Sequence, residues 1–453
     1  MHWAPPELQA IEPAPADGLY VVFVAGLVLA TTLAVGFLPA MFAARGNLAA
    51  HVQQQSRGAS GPRGGRRLRA GLVVAEVALA VLLTTGAMLL MRSFQALLAV
   101  DPGFQAAQVL TFQLNAPDRF TTAAERLEFY RTLFERLETL PGVRHAGGTT
   151  RIPLGSPNVS TRIEAEGAPP RAGPWPEVEF RRAMHDYFAA MGIPILRGRG
   201  FTAADASGPP VAVVNETLAV QLFGESDPLG RRVRMQPAAG PWMAIVGVVR
   251  NVHHEGLDAP PRPELYVDYA SNPPVAPFIV LRTAVPPAHL AEPVRREIRA
   301  LDPSAAPYDL RSMDEIQANS IADRRFTITL LGGFALAALL LAAAGVYGVA
   351  ALVTAERTAE IGLRMALGAR PRSVVGLIVR QSCALALLGA LAGAGAGAIA
   401  APLIGSQLFG VHSHDPLTFA VVPLLLVAVA GLASLGPAVR AARLDPLLAL
   451  RRD

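Results

Sequence analysis

The sequence predicts an α-helical membrane protein: five transmembrane helices, with a large extracytoplasmic α/β domain of two lobes between the second and the third. Three observations predict it. Five long apolar stretches run through the chain, four of them without a charged residue. Arginine clusters flank those stretches on alternate sides. Between the second and third stretch the composition changes to that of a water-facing α/β domain.

The apolar stretches cover residues 18–44, 70–91, 326–355, 381–411 and 416–439. A run of about 18 apolar residues is long enough to cross a hydrocarbon core of about 30 Å as a helix. The second run is interrupted by Glu76 alone. Glu76 lies about two turns beyond Arg69, roughly 10 Å along a helix axis. It either snorkels back to the near interface or makes a polar contact with a neighbouring span.

Sidedness follows from the arginines. The segment between the first two runs holds Arg45, Arg57, Arg63, Arg66, Arg67 and Arg69 and no acid. The segment 356–380 holds Arg357, Arg364, Arg370, Arg372 and Arg380, and the tail holds Arg440, Arg443, Arg451 and Arg452. The loop between the last two runs has no arginine, and neither have the first 17 residues, which contain Glu7, Glu12 and Asp17. The positive-inside rule then places the amino terminus outside and the carboxyl terminus inside. Residues 92–325 lie outside, because long domains translocate largely regardless of their charge.

Composition excludes several function classes. The net charge of +5 belongs to inside-facing loops rather than to a nucleic-acid footprint. The chain has no lysine, so a GxxxxGK[ST] phosphate loop and lysine Schiff-base chemistry are both excluded. The lone Cys383 offers no intramolecular disulfide and reads as a small apolar residue of the fourth run. His253 and His254 beside Glu255, and His412 and His414 around Ser413, lack the spacing of a metal helix and read as exposed loop histidines. No GxSxG elbow is present. No catalytic, cofactor or metal residue is assigned.

A shift of 398 residues lays the first run on the fifth without a gap: Asp17 on Asp415, Pro39 on Pro437, Arg45 on Arg443. The first run therefore reads as the last span of a preceding four-span unit, and the chain reads as beginning partway through a longer protein. Such repeats in transport proteins pair two halves about a shared interface.

In the outer segment, 122–140 reads as an amphipathic helix with Leu127, Tyr130, Leu133, Phe134 and Leu137 on one stripe, stopped by Pro141-Gly142. Short strands are expected at 211–214, 244–249, 278–282 and 308–311. Helices are expected at 215–223, capped by Asn215, at 288–301, and at 313–325 running into the third span. Tyr187 and Phe188 read as core aromatics.

Several segments resemble the MacB/FtsX-type permeases of ABC transporters, closest to their duplicated orphan members. FRRAMHDYFAAMGIPILRGRGF (180–201), VAVVNETLAVQLFGESDPLGRRV (211–233) and IVGVVRNVHHEGL (245–257) look like the MacB-type periplasmic core domain. ERTAEIGLRMALGARPRSVVGLIVRQ (356–381) and PAVRAARLDPLLALR (437–451) look like the FtsX-like permease domain. The resemblance implies this organisation: 1–45 the last helix of a preceding repeat, 46–69 a cytoplasmic arginine-rich linker, 70–91 a transmembrane helix, 92–325 the core domain, and 326–453 the permease domain with a cytoplasmic coupling loop at 356–380. It implies a bacterial inner-membrane protein that is not itself an enzyme. ATP is held by a separate ATP-binding subunit docking on Glu356, Arg357, Glu360, Arg364, Arg370 and Arg372, in a permease dimer or paired repeat. The motion would drive export or extraction of an amphiphile or peptide; the alternative is an FtsX-like regulator of a cell-wall hydrolase with no cargo. Gly389, Gly393 and Gly397, at four-residue spacing, would allow close helix packing.

Overall fold

The computed structural model describes residues 63–167, 175–236 and 240–443, together with helical positions Val22, Ala25, Gly26, Val28, Leu29 and Thr32. Apart from those positions, the first predicted span, the repeat alignment built on it, the linker before residue 63 and the tail beyond 443 lie outside the described residues. The chain divides into two units, Met1–Met91 with Ile328–Asp453, and Arg92–Thr327.

The first helix, α1, spans Arg63–Leu98. It extends past the apolar run at both ends, where Arg, Leu, Gln and Ala are good helix formers.

The second unit is α/β. After β1 (Val109–Leu114) comes α2 (Ala123–Glu138). Thr122 caps α2: its hydroxyl accepts from the Glu125 amide at 3.2 Å, and the Glu125 carboxylate accepts from the Thr122 amide at 2.9 Å. Two amides that would otherwise lack partners are satisfied reciprocally. The expected stripe is buried, with Phe129 added to it and Leu127 at its margin. Then follow β2 (Val143–Thr149), β3 (Ser160–Ala165), β4 (Glu177–His185), the short α3 (Tyr187–Met191), β5 (Ile195–Gly198) and β6 (Val211–Asn215). Next come α4 (Glu216–Phe223), β7 (Arg232–Gln236), β8 (Met243–Val249), β9 (Glu264–Asp268), β10 (Phe278–Thr283), α5 (Ala291–Leu301), β11 (Pro307–Ser312) and α6 (Met313–Ser320). Asn215 caps α4, its side-chain oxygen accepting from the Leu218 amide at 2.9 Å. Tyr187 and Phe188 are buried.

All eleven strands join one sheet in the order β11-β1-β10-β2-β4-β3-β7-β8-β6-β9, with β5 beside β8. In addition β9 pairs in parallel with β4, Glu179 opposite Glu264 and Arg181 opposite Tyr266. That pairing closes β4, β3, β7, β8, β6 and β9 into a ring. The other end of β4 pairs with β2 and continues the open sheet through β10, β1 and β11. The two lobes thus share one strand. One core fills the α2 and α5 face of the open sheet, around Phe112, Phe134 and Ile279. Another lies around Val214, Ile245 and Leu265 against α4.

The helical unit continues with α7 (Ala322–Glu356), α8 (Thr358–Ala366), α9 (Pro371–Ala400), a 3₁₀ segment (Ala401–Gln407) and α10 (Pro416–Ala442). Among the described residues four helices are long and apolar enough to cross a membrane: Arg67–Leu98, Ala322–Glu356, Pro371–Gln407 and Pro416–Ala442. Two expectations are corrected. The helix expected at 313–325 stops at Ser320, and Ile321 separates it from α7. The fourth span begins at Pro371 rather than at 381. Arg380 ended the apolar run, yet Val374 and Ile378 carry a buried stripe one turn apart below it, and proline suits the first helical position. The unit's core is built from small and branched residues: Val77 and Val81 of α1, Ala342 and Val346 of α7, Ala386 and Ala390 of α9, and Val422 and Leu426 of α10.

Candidate functional site

The elbow between α7 and α9 carries the predicted partner-docking residues. α8 is amphipathic. Its Ile361 is buried among Ala350 of α7, Val374 and Ile378 of α9, and Ala438 and Ala441 of α10. Its other face presents Leu363, 52% exposed, and Leu367, 79% exposed, on either side of the exposed Arg364. Gly368 ends the helix at φ +91°. Its amide donates to the Met365 carbonyl at 3.0 Å, and the Ala369 amide reaches back to the Arg364 carbonyl at 3.0 Å. This is the Schellman arrangement, which uses up the last carbonyls and needs a left-handed residue. Arg370 is extended at φ −69°, ψ 137°, and Pro371 starts α9.

The charges of the elbow are partly spent on one another. Arg364 donates to Glu360 at 2.6 Å, and Arg357 approaches Glu360 at 4.0 Å. Glu356 turns away to Arg69 of α1, at 2.7 Å. Exposed pairs of this kind are worth at most about 1 kcal/mol each. Arg370 and Arg372 make no ion pair among the described residues. The structure therefore groups Arg357, Glu360 and Arg364 on one short helix, sets Arg370 and Arg372 beyond its cap, and assigns Glu356 to the α1–α7 end.

The three glycines divide two to one. A Cβ on Gly389 would meet the Val74 carbonyl oxygen at 2.7 Å, and one on Gly393 would meet Val81 Cβ at 2.8 Å, so both let α9 lie directly on α1. Gly397 faces Phe419 of α10 at an ordinary 3.6 Å. Glu76 reaches across to α7, where its carboxyl lies against Gly345.

A buried polar cluster in the α/β unit had no signal in the sequence. Arg181 on β4 is 1% exposed and binds Glu179, Glu264 and the side chain of Asn158. Glu264 also accepts from the Tyr266 hydroxyl at 2.7 Å and contacts His254 Nε2 at 3.1 Å. Burial works to raise the Glu264 carboxyl, but Arg181 and His254 beside it hold it down to about 2. His254, expected in an exposed loop, is buried, its ring held at the sheet junction against Glu264 of β9. His253 remains at the loop, its Nδ1 at 2.8 Å from the Ala259 carbonyl. His414 lies 3.0 Å from the Ala398 carbonyl through Nε2. Among the described residues no group of three His, Cys, Asp or Glu is placed to hold a metal. Arg181, Glu179 and Glu264 are almost closed to water, and the cluster ties β4 to β9 where the two strands pair.

Sequence comparison divides the chain in the same way. The profile described as MacB-like periplasmic core domain matches residues 70–301, and that described as FtsX-like permease C-terminal matches residues 332–446. The chain is 28% identical over 272 residues to the pyoverdine export ATP-binding/permease protein PvdT of Pseudomonas savastanoi pv. phaseolicola, covering 57% of this chain and 40% of that protein. It is 29% identical over 278 residues to the uncharacterized ABC transporter permease YknZ of Bacillus subtilis, covering 59% of this chain and 68% of that protein. The macrolide export ATP-binding/permease protein MacB of Azoarcus sp. is 26% identical over 414 residues, covering 86% of this chain and 58% of that protein. The matched stretch thus spans less than half of PvdT.

Proposed function

The chain belongs to the MacB/FtsX-type ABC transporter permeases, and from that premise we propose that it is the membrane subunit of an exporter driven by ATP hydrolysis on a separate subunit. In this reading the elbow faces the cytoplasm and the α/β unit faces outward in the bacterial inner membrane. The run at 18–44 is a fifth span, and the working form pairs this chain with a second permease half. The ATP-binding subunit docks on the exposed face of α8 and the start of α9. Nucleotide-driven closure shifts the helices and passes motion to the α/β unit, which expels or extracts an amphiphile or a peptide.

One observation carries the reading: the two family profiles occur in order over residues 70–301 and 332–446. The elbow agrees with it physically. Leu363 and Leu367 flank Arg364 on a face without a partner among the described residues, and apolar residues around a cation suit a protein contact. The names of PvdT and MacB support export as the task. The test is co-purification with an ATP-binding subunit of the same family. Arg364→Glu with Arg370→Glu is expected to abolish association while membrane insertion continues. Unchanged co-purification would remove the docking assignment, and recovery of a cell-wall hydrolase without any export defect would favour a regulator without cargo.

A further inference from the structure

Docking leaves Glu76 unused. Its carboxyl does not fold back toward the Arg69 end of α1. It crosses to α7 and lies over Gly345, where a built Cβ would come within 2.9 Å of Glu76 Cδ and nearer still to Oε2. Glycine leaves room for the carboxyl in this position, and a β-carbon there would have to push it aside. Among the described residues the carboxyl has no hydrogen-bond or ion-pair partner. Val73 and Val77 of α1 and Ala342 and Val346 of α7 are buried in the shared core beside it, so the carboxyl sits in the seam between the two helices. The charged pair that joins the same helices, Arg69 with Glu356, is at their far ends. A glycine Cα–H group is a weak donor to oxygen at helix contacts, and Gly345 is the residue the carboxyl lies against. Both helices lead toward the second unit along the chain, since α1 runs to Leu98 and α7 starts at Ala322.

Building on the relay described under the proposed function, we infer that Glu76 and Gly345 form a catch, a positioning pair that fixes the spacing of α1 and α7. Sliding or parting the helices would take the carboxyl off Gly345 and out of the seam, leaving more of a polar group against hydrocarbon, which costs more. An apolar pair would offer no such preference for one register. The catch thus holds the two helices together until force from the elbow separates them.

Spin labels at Leu83→Cys on α1 and Leu340→Cys on α7, in a Cys383→Ser background and in lipid nanodiscs, test this by pulsed distance measurement. One narrow distance is expected in the parent chain and in Glu76→Gln, which keeps the shape. Glu76→Ala and Gly345→Ala should each lose the narrow peak. Alanine inserts into a membrane more readily than glutamate, so loss of accumulation is not the expected effect of Glu76→Ala. A narrow parent distance retained in both alanine variants overturns the catch. Addition of the ATP-binding subunit and ATP should shift the parent distance and leave the Glu76→Ala distribution as it was. A parent distance indifferent to ATP would defeat the relay, while the nucleotide-free distributions would still decide the catch.

Discussion

Arg181 holds two carboxylates in a place water scarcely reaches, so its loss strands both. Breaking a buried ion pair from one side costs about 3–5 kcal/mol. Arg181→Met should therefore destabilise the chain by about that amount in denaturant unfolding followed by tryptophan fluorescence; a loss below about 1 kcal/mol would mean that the acids find another cation. Acid should act through the same site. Glu264 is held below its ordinary value, down to about 2, with burial opposing and Arg181 and His254 prevailing. A carboxylate lowered in the folded state contributes stability that is full above its unfolded value and is lost as pH falls through the folded one. The Glu264 contribution should thus disappear between about pH 4.5 and pH 2, and the Arg181→Met chain should show a weaker pH dependence in that window. Asp268 runs the other way. Burial pushes it up to about 6, so its ionisation opposes folding increasingly as pH rises from about 4 through 6. Asp268→Asn should gain about 1 kcal/mol at pH 7 and nothing near pH 3, a modest figure because the side chain is partly open to water. None of this was legible in the sequence. Glu179 and Arg181 alternate with Val178 and Phe180, the pattern of a strand with one wet face. Their partners come from residues 158, 254 and 264, and proximity of that kind is a property of topology. His254 was misread for the same reason.

The elements were more legible where their ends carry chemistry. Asn215 before its helix reads as a cap, and Thr122 with Glu125, not read as one, has the same local signature, since both depend on residues three apart. The start of α9 was obscured because hydropathy stops at Arg380, although the stripe of Val374 and Ile378 continues beneath it. The glycine pattern at 389, 393 and 397 pointed to close packing but could not say against what; the structure puts the first two directly on α1 and the third at ordinary contact distance from Phe419 of α10 and Leu82 of α1. Gly393→Leu should therefore force α9 off α1. A side chain would have to displace Val81 and the backbone carbonyl of Ala78, and overpacking of this kind costs about 1–3 kcal/mol. Thermal unfolding in detergent would register it, whereas Gly395→Leu, at a position with nothing within 4 Å, should leave the midpoint nearly unchanged. Gly368→Ala tests the elbow cap. At φ +91° an alanine is strained by about 1 kcal/mol or more. The expected result is a frayed α8 and weaker co-purification of the ATP-binding subunit, without loss of the chain from the membrane.

At the scale of the whole molecule, the sequence spoke through two coarse signals, apolar length and arginine placement. They sufficed for the four described helices and for the α/β segment between the first two of these. They could not show that the lobes share β4, because the parallel pairing of β4 with β9 joins residues 85 apart, Glu179 with Glu264. Sidedness rests on the arginines alone and has a direct consequence. If positive charge is kept inside, Leu367 on the elbow and Val275 in the α/β unit face opposite compartments. Both side chains are well exposed, Leu367 at 79% and Val275 at 61%, so each would react if reached. In a Cys383→Ser background, a membrane-impermeant maleimide applied to cells with a permeabilised outer envelope should label Val275→Cys and spare Leu367→Cys. Breaking the inner membrane should then make Leu367→Cys reactive, which separates shielding by lipid from shielding by protein. Labelling of Leu367→Cys in sealed cells, with Val275→Cys protected, would invert the topology. It would put the elbow in a compartment without ATP, and the docking surface, the relay and the direction of export would fall together.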